Sequence, residues 1–307
     1  MRAQWHSTRG APMARRSFLG MGLGLTVLGR AARTGPHQTL VVWNSEVASY
    51  AEAVEGIRQG FGEQAERALA LFDLKSDPNL TGLESPAGAG PRNAIAVGLE
   101  AQRALAARTP QFPVFTTMVH RADGVANAMN LDVPLTSVMD ELAALVPGKK
   151  RLGVLESAPA AASQTKGQAA TDKAAQLGYT LTVAEASRPD SISAAFLSLR
   201  RKVDLVVVAP DRNVYDAAGI ATLLKLSLES ALPLVLFAPS LVRAGGAIGI
   251  YPDYLEVGVQ TAEALLAGKP AEAPRKLTVA LNQRTLRLSG CKVKDTRANG
   301  ENCLVFR

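Results

Sequence analysis

The chain has 307 residues and a formal net charge of +7, yet residues 1–31 hold five arginines and no acid, which leaves +2 for the remainder. A body so close to neutral lacks the clustered basic face that nucleic acid demands, and no apolar run after residue 31 is long enough to span a bilayer. Apolar residues make up 47% and aromatic ones only 5%, with Ala, Leu and Val predominating, the make-up of a packed α/β protein.

The first element is a leader. Arg15-Arg16-Ser17-Phe18-Leu19-Gly20 opens an uncharged stretch, and the apolar run Phe18–Leu28 is too short for a membrane helix. A basic segment, a short apolar segment and small residues after it form a signal peptide, and the paired arginines make it the twin-arginine kind. Gly29 and Ala31 stand two apart, which places cleavage after Ala31, and no cysteine lies nearby to take a lipid. The expectation is a soluble protein of about 275 residues exported to a Gram-negative type of periplasm, enough for one large domain or two lobes with a core each.

The body then alternates short apolar runs with helical ones. Strand-like runs are Thr39–Trp43, Ala94–Val97, Val114–Thr117, Leu152–Leu155, Tyr179–Val183, Leu205–Val208, Leu234–Phe237 and Ala247–Ile250. Helical stretches are Ala48–Gly60, Leu99–Ala107, Ser137–Leu145, Gln168–Leu177, Ile192–Arg201, Ala217–Glu229 and Leu255–Ala267. Strands that are apolar throughout are covered on both faces, as in parallel sheets, so the alternation predicts doubly wound α/β architecture. Pro147-Gly148-Lys149-Lys150 ends one helix before the next strand, and Gly268-Lys269-Pro270 stops another. The spacing fits two lobes better than one sheet. Residues 76–93, rich in Gly and Pro, read as an irregular crossover where a regular unit has a helix.

Several chemistries find no support. His6 leaves with the leader and His37 lies beside the new terminus, so His120 is alone in the body; beside Arg121 it reads as a surface loop residue, and a triad needs a base placed by a third group. No phosphate-binding loop occurs, and Gly245-Gly246-Ala247-Ile248-Gly249 precedes a strand instead of following one, the wrong order for a pyrophosphate at a helix start. Cys291 and Cys303 fit no common zinc spacing. In an oxidising compartment they can form a disulfide closing a short loop, worth on the order of 3 kcal/mol; the alternative is two separate thiols in a mobile tail. No metal, cofactor or enzymatic activity is expected.

In open α/β sheets ligands bind beyond the carboxyl ends of the strands. Those ends carry Asn44 and Ser45, Gly98 with Leu99 and Glu100, Thr116 and Thr117, Glu156 and Ser157, Pro210 and Asp211, and Pro239 and Ser240. Small and polar groups of this kind suit a small polar ligand, with helix N-termini adding amide donors. Asp211 stands out because it follows an entirely apolar strand, where a carboxylate can pair with an ammonium group. Ser45, Ser157 and Ser240 can equally cap helices.

Several strings together resemble the ABC-transporter substrate-binding protein family, with its type I periplasmic-binding fold. They are Tyr50–Gly56, Leu131-Asp132-Val133-Pro134-Leu135-Thr136-Ser137, Pro147–Leu155, Pro210-Asp211-Arg212-Asn213-Val214-Tyr215, Leu241–Gly246, Ile250–Gly258, Pro274–Leu277 and Ala280-Leu281-Asn282. The resemblance spans about residues 39–290 and implies two Rossmann-like doubly wound lobes joined by three crossovers. Lobe 1 is then 37–133 plus 252–275, lobe 2 is 134–251 plus 276–290, and 291–307 is a C-terminal tail. It implies a small, amino-acid-like ligand held in the interlobe cleft and delivered to an ABC permease in the inner membrane. The protein would reach that site through the twin-arginine export machinery and act as a monomer. Asn213 and Asp253, within these strings, join Asn44, Ser45, Thr116, Thr117, Ser157, Asp211 and Ser240 as candidate ligand residues. A sensing or interaction protein on the same fold, feeding a receptor instead of a permease, is the alternative. The chain departs from the family pattern at Leu99, where a hydroxyl residue is usual, at Glu156-Ser157-Ala158, where Tyr-Asn-Pro is common, in the short 76–93 region, and in the cysteine-bearing tail.

Overall fold

The computed structural model describes residues 39–81, 91–108, 110–120, 124–125, 128–157, 167–211, 214–269, 273–294 and 303–307. The leader 1–31, His37 and Asn213 lie outside the described residues.

Twelve strands and ten helices of the described residues form two sheets with helices on both faces. The first sheet holds β1 (Thr39–Trp43), β2 (Leu69–Asp73), β3 (Asn93–Val97), β4 (Val114–Val119) and β5 (Ala128–Asn130), in the order β2-β1-β3-β4-β5. All its pairings are parallel. Alternation along β1 and β3 sends Val41, Ile95 and Val97 to one core and Leu40, Val42, Ala94 and Ala96 to another. Helix α3 (Leu99–Ala106) covers the second of these with Ala101 and Leu105. Helix α1 (Ala48–Phe61) covers the first, and the four-residue α2 (Ala65–Ala68) leads into β2.

The second sheet holds β6 (Arg151–Glu156), β7 (Thr180–Glu185), β8 (Leu205–Val208), β9 (Leu234–Leu236), β10 (Ile248–Pro252), β11 (Leu277–Asn282) and β12 (Cys303–Phe306). Its order is β12-β11-β10-β9-β8-β6-β7, with only β10 and β11 antiparallel. One face packs on α4 (Leu135–Leu145), α5 (Gln168–Leu177) and α10 (Gln283–Leu288), the other on α6 (Ile192–Leu199) and α7 (Ala217–Ser230). The short α8 (Pro239–Arg243) follows β9, and α9 (Tyr254–Ala267) follows β10.

The strand-like and helical runs read from sequence are all present, within a few residues at their ends. Those not anticipated are β2, β5, β11, β12, α2, α8 and α10. Cys303–Phe306 is not a trailing tail: it pairs parallel with β11 at the edge of the second sheet. No disulfide joins Cys291 and Cys303. Cys291 is buried in the core beneath β11, where burial pushes its thiol pKa up, and Cys303 packs against the same cluster from the edge strand.

The chain passes from the first sheet to the second at 131–134, returns at 253 for α9, and passes back at 268–276. These are the three crossovers. Helix α9 lies against α1 and β4, so the first lobe is completed by a helix that arrives after most of the second has been laid down. The α1–α9 crossing is unusually close. A Cβ at Gly56 would overlap the Leu255 carbonyl oxygen, and one at Gly258 would overlap that of Ala53. Asp253 caps α9, its Oδ1 accepting from the Glu256 amide (3.1 Å) while Oδ2 meets Lys276 Nζ (2.9 Å). The Asp253 amide also donates to the Lys276 carbonyl (3.0 Å), which ties two crossovers together. Arg275 holds the third crossover to α9 through Glu256 (2.7 Å) and Glu263 (2.9 Å).

Two outcomes follow from this junction. Gly258→Ala, or Gly56→Ala, forces backbone apart at a contact with no room to relax, and urea unfolding should show a loss of about 1–3 kcal/mol. Burial acts to raise the Asp253 pKa, but the Lys276 ion pair and the amides outweigh it and hold the carboxyl below its ordinary value. A folded pKa below the unfolded one adds stability at pH values above the ordinary carboxylate range, and that stability disappears as pH falls through the lowered value. Asp253→Ala should cost about 1 kcal/mol near pH 7 and lose less on acidification than the parent. Asp253→Asn, which retains the cap, should lose only the part due to Lys276.

Candidate functional site

The carboxyl ends of the strands bring the polar candidates to one end of each sheet. In the first lobe, residues after β1 turn sharply: the Asn44 carbonyl accepts from Val47 N (3.2 Å) and Asn44 Oδ1 accepts from Glu46 N (3.0 Å). Asn44 Nδ2 donates to Glu100 Oε2 in the first turn of α3 (3.0 Å). The Ser45 amide donates to Asp73 Oδ1 at the end of β2 (3.0 Å), as does Lys75 N (3.0 Å). Burial acts to raise the Asp73 pKa, but these bonds prevail and hold the carboxyl below its usual value. Gly98, at the end of β3, has φ +89°, and the Tyr50 ring lies where a side chain would be. Leu99, which departs from the family pattern, is buried with Val119 and Ala128 and serves packing.

Strand β4 differs from its neighbours. Thr116 faces Ala96 and Ala128 across the sheet and is buried. Thr117 is fully buried on the other face, its hydroxyl hydrogen-bonded to that of Thr261 on α9 (2.9 Å), while Thr261 also donates to the Val257 carbonyl (2.7 Å). The next residue, Met118, is non-glycine at φ +59° and sits where the β4–β5 register shifts. Beyond it His120 Nδ1 lies 3.1 Å from Asp132 Oδ1, in the first crossover. The same imidazole meets the Phe237 ring edge-on, with centroids 5.8 Å apart and planes at 80°. Phe237 follows β9 of the second lobe, so this contact reaches from lobe to lobe.

In the second lobe Glu156 ends β6 and is buried, its carbonyl accepting from the Ala186 amide (2.9 Å). Ser157 follows it, half-buried. After β8, the Asp211 carbonyl accepts from Tyr215 N (2.8 Å) and Val214 N (3.3 Å), which folds the chain back. Tyr215 is buried, and burial pushes its hydroxyl pKa upward, with the charges of Asp211 and Glu156 adding to the shift. Ser240 is exposed within α8 and Asp253 is engaged as the α9 cap.

Beneath the first crossover the ends of β6, β8 and β9 enclose a cavity of about 40 Å³. Its wall is apolar, including Leu131, Val133, Val208, Pro210 and Phe237, with Glu156 the ionisable residue lining it among the described residues. A space this size holds a few water molecules at most.

Asn44, Ser45, Ser157 and Asp211 thus stand at the strand ends. Thr117 is held by α9, Asp253 caps that helix, and Asn213 is outside the described residues. The expectation that His120 is a surface loop residue is corrected: it is largely buried, held by Asp132 and set against Phe237. Ending the third strand run at Thr117 made that residue the strand end; the strand continues to Val119, and the rule that pointed to Thr116 and Thr117 points instead to His120. Among the described residues no group of His, Cys, Asp and Glu is placed to hold a metal ion, and no helix is long and apolar enough to cross a membrane.

Comparison with solved structures supports the same architecture. A substrate-binding protein with adhesive properties from Clostridium difficile, in a ligand-free open structure, shares 16% identity at a TM-score of 0.62, over 88% of this chain and 99% of that one. An ABC domain from Streptococcus pneumonia in complex with L-Trp shares 18% identity at a TM-score of 0.56, over 87% and 99%. A conserved domain protein from Vibrio cholerae shares 17% at 0.57, over 89% and 100%. Comparison with curated proteins finds no match. A model of the ABC transporter substrate binding protein family matches residues 103–283. With more than half its length matched and two doubly wound lobes joined by three crossovers, the chain belongs to the ABC transporter substrate-binding protein family.

Proposed function

We propose that this protein is the solute-binding component of an ABC-type importer. In this reading its twin-arginine leader sends it to the periplasm, and it works there as a monomer. The lobes, divided near 133/134, 251/252 and 275/276, close on a small amino-acid-like metabolite and hand it to an inner-membrane permease, with no chemical change to the ligand. Membership of a substrate-binding family supports the binding role.

The observation that carries the ligand class is the floor of the cleft. An apolar wall of Val208, Pro210 and Phe237 stands beside the Glu156 carboxylate, with Asp211 and Ser157 at the same strand ends. An apolar body against the wall and a hydrogen-bonding or cationic head toward the carboxylates satisfy both parts. Apolar surface contributes about 25 cal/mol per Å² buried, and a charge-assisted bond fixes orientation. Amino acids with hydrocarbon or aromatic side chains have this form. The pneumococcal neighbour's complex with L-Trp makes aromatic ones the first probes.

Thermal unfolding of protein purified without dialysis tests this against L-tryptophan, L-phenylalanine, L-leucine and a wider set of small metabolites. A ligand at 100 times its Kd adds about 2.7 kcal/mol, which raises Tm by about 5–10 °C for a domain of this size. Glu156→Gln and Asp211→Asn should each reduce that shift without lowering the unliganded Tm by a similar amount. No shift with any compound, and no small molecule released on denaturation, would overturn the reading.

A further inference from the structure

We propose that His120 is a latch: held by Asp132 and seated against Phe237, it ties the first lobe to the cavity wall of the second and so restrains the hinge between them when no ligand is present. The inference concerns the proposed cleft but not the identity of its ligand.

The first observation is the backbone of β4. Side chains of a strand alternate between faces, so His120 should share the face of Thr116, two alternations before it. That face belongs to Leu99, Val119 and Ala128. The structure breaks the alternation at Met118. Thr117 bonds to α9 and Met118 enters the core containing α1 and α9, so two consecutive residues face the same way. Val119 then returns to Leu99, pairs with Asn130, and accepts from Leu131 N (2.8 Å). An inserted residue of this kind turns everything after it to the opposite face. His120 is the first polar side chain so turned.

The second observation is what the turn costs. A buried methionine at φ +59° is strained by several times the thermal energy relative to extended backbone. Strain of that size persists only where surrounding contacts enforce it, and here its consequence is the direction of His120.

The third observation is where the imidazole arrives. Asp132, in the crossover between the lobes, meets Nδ1 at 3.1 Å, with both side chains largely buried (18% and 10% exposed). An acid on one ring nitrogen fixes the ring's orientation. The oriented ring then meets Phe237 edge-on, a geometry favoured by the aromatic quadrupole. Phe237 lines the small cavity. One side chain thus touches the first lobe's strand, the crossover and the second lobe's cavity wall. A single contact of this kind is enough to bias a hinge whose states differ by little.

The test measures distance between lobes in the full chain without added ligand. Spin labels go on exposed residues of α3 and α6 through Ala106→Cys and Ala194→Cys, in a Cys291→Ser, Cys303→Ser background, and pulsed electron paramagnetic resonance reads the separation. His120→Ala and Phe237→Ala should each lengthen and broaden the distance distribution. The double variant should go no further than the larger single change, because both remove one contact. Phe237→Tyr, which retains the ring, should restore the parent distribution. If an alanine variant does not fold, His120→Asn and Phe237→Leu remove the ring contact with less loss of volume. Unchanged distributions in folded variants, or additive changes, would overturn the latch. Ligand binding is read separately by thermal shift, so a failed latch leaves the transport reading standing, and a failed ligand screen leaves the latch intact.

Discussion

The crossing of α1 and α9 is the contact on which the rest of the molecule depends. Helix α9 leaves the second sheet and completes the first lobe, and it does so at a separation that only Gly56 and Gly258 allow. Because the chain must return to the second sheet afterward, the α9 position also determines where the last two crossovers run. Asp253 and Lys276, one on each, then lock that geometry at the surface. Local close packing between glycines is thereby converted into a fixed junction between two lobes. The core it creates holds residues from both, among them Val41, Ile57 and Met118 from the first and Val242, Tyr251 and Ala280 from the second.

Away from that junction, His120 meets Phe237 edge-on, a contact between the two lobes among the described residues. The first lobe's polar residues are largely committed to one another: Asn44 to Glu100, and Ser45 to Asp73. Such bonds pre-organise loops, and an organised surface loses less entropy on binding than a floppy one. The second lobe offers a different surface, an apolar wall with carboxylates at its edge. The two ends therefore differ, the first polar and internally bonded, the second apolar with carboxylates beside it.

The alternation of helices and strands was legible because the strands are covered on both faces and so consist of unbroken apolar runs. Leu205–Val208 is the simplest case, four β-branched or aliphatic residues buried throughout. Strand β2 was not legible: Leu69-Ala70-Leu71-Phe72 follows an Ala- and Glu-rich stretch, and helix-forming residues conceal it until pairing with β1 decides its conformation. Cys303–Phe306 was concealed for the opposite reason, since nothing near it in the chain announces a sheet edge. The strand-end rule gathered the polar candidates at the sheet ends, yet two of the chosen residues are engaged elsewhere. Thr117 bonds to a residue 144 positions away, and Asp253 caps the helix that carries it.

By itself the sequence determined the composition of the elements, their order, and the polar character of the strand ends, because these follow from local periodicity and from residues adjacent in the chain. Tertiary structure alone decided which of those polar residues remain available and which way His120 points. The first depends on partners brought together from distant segments, and the second on a single extra residue in β4 that reverses the facing of everything after it. Neither leaves a local signature, since a hydroxyl that bonds to a distant helix and one that faces a cleft are spelled with the same letter.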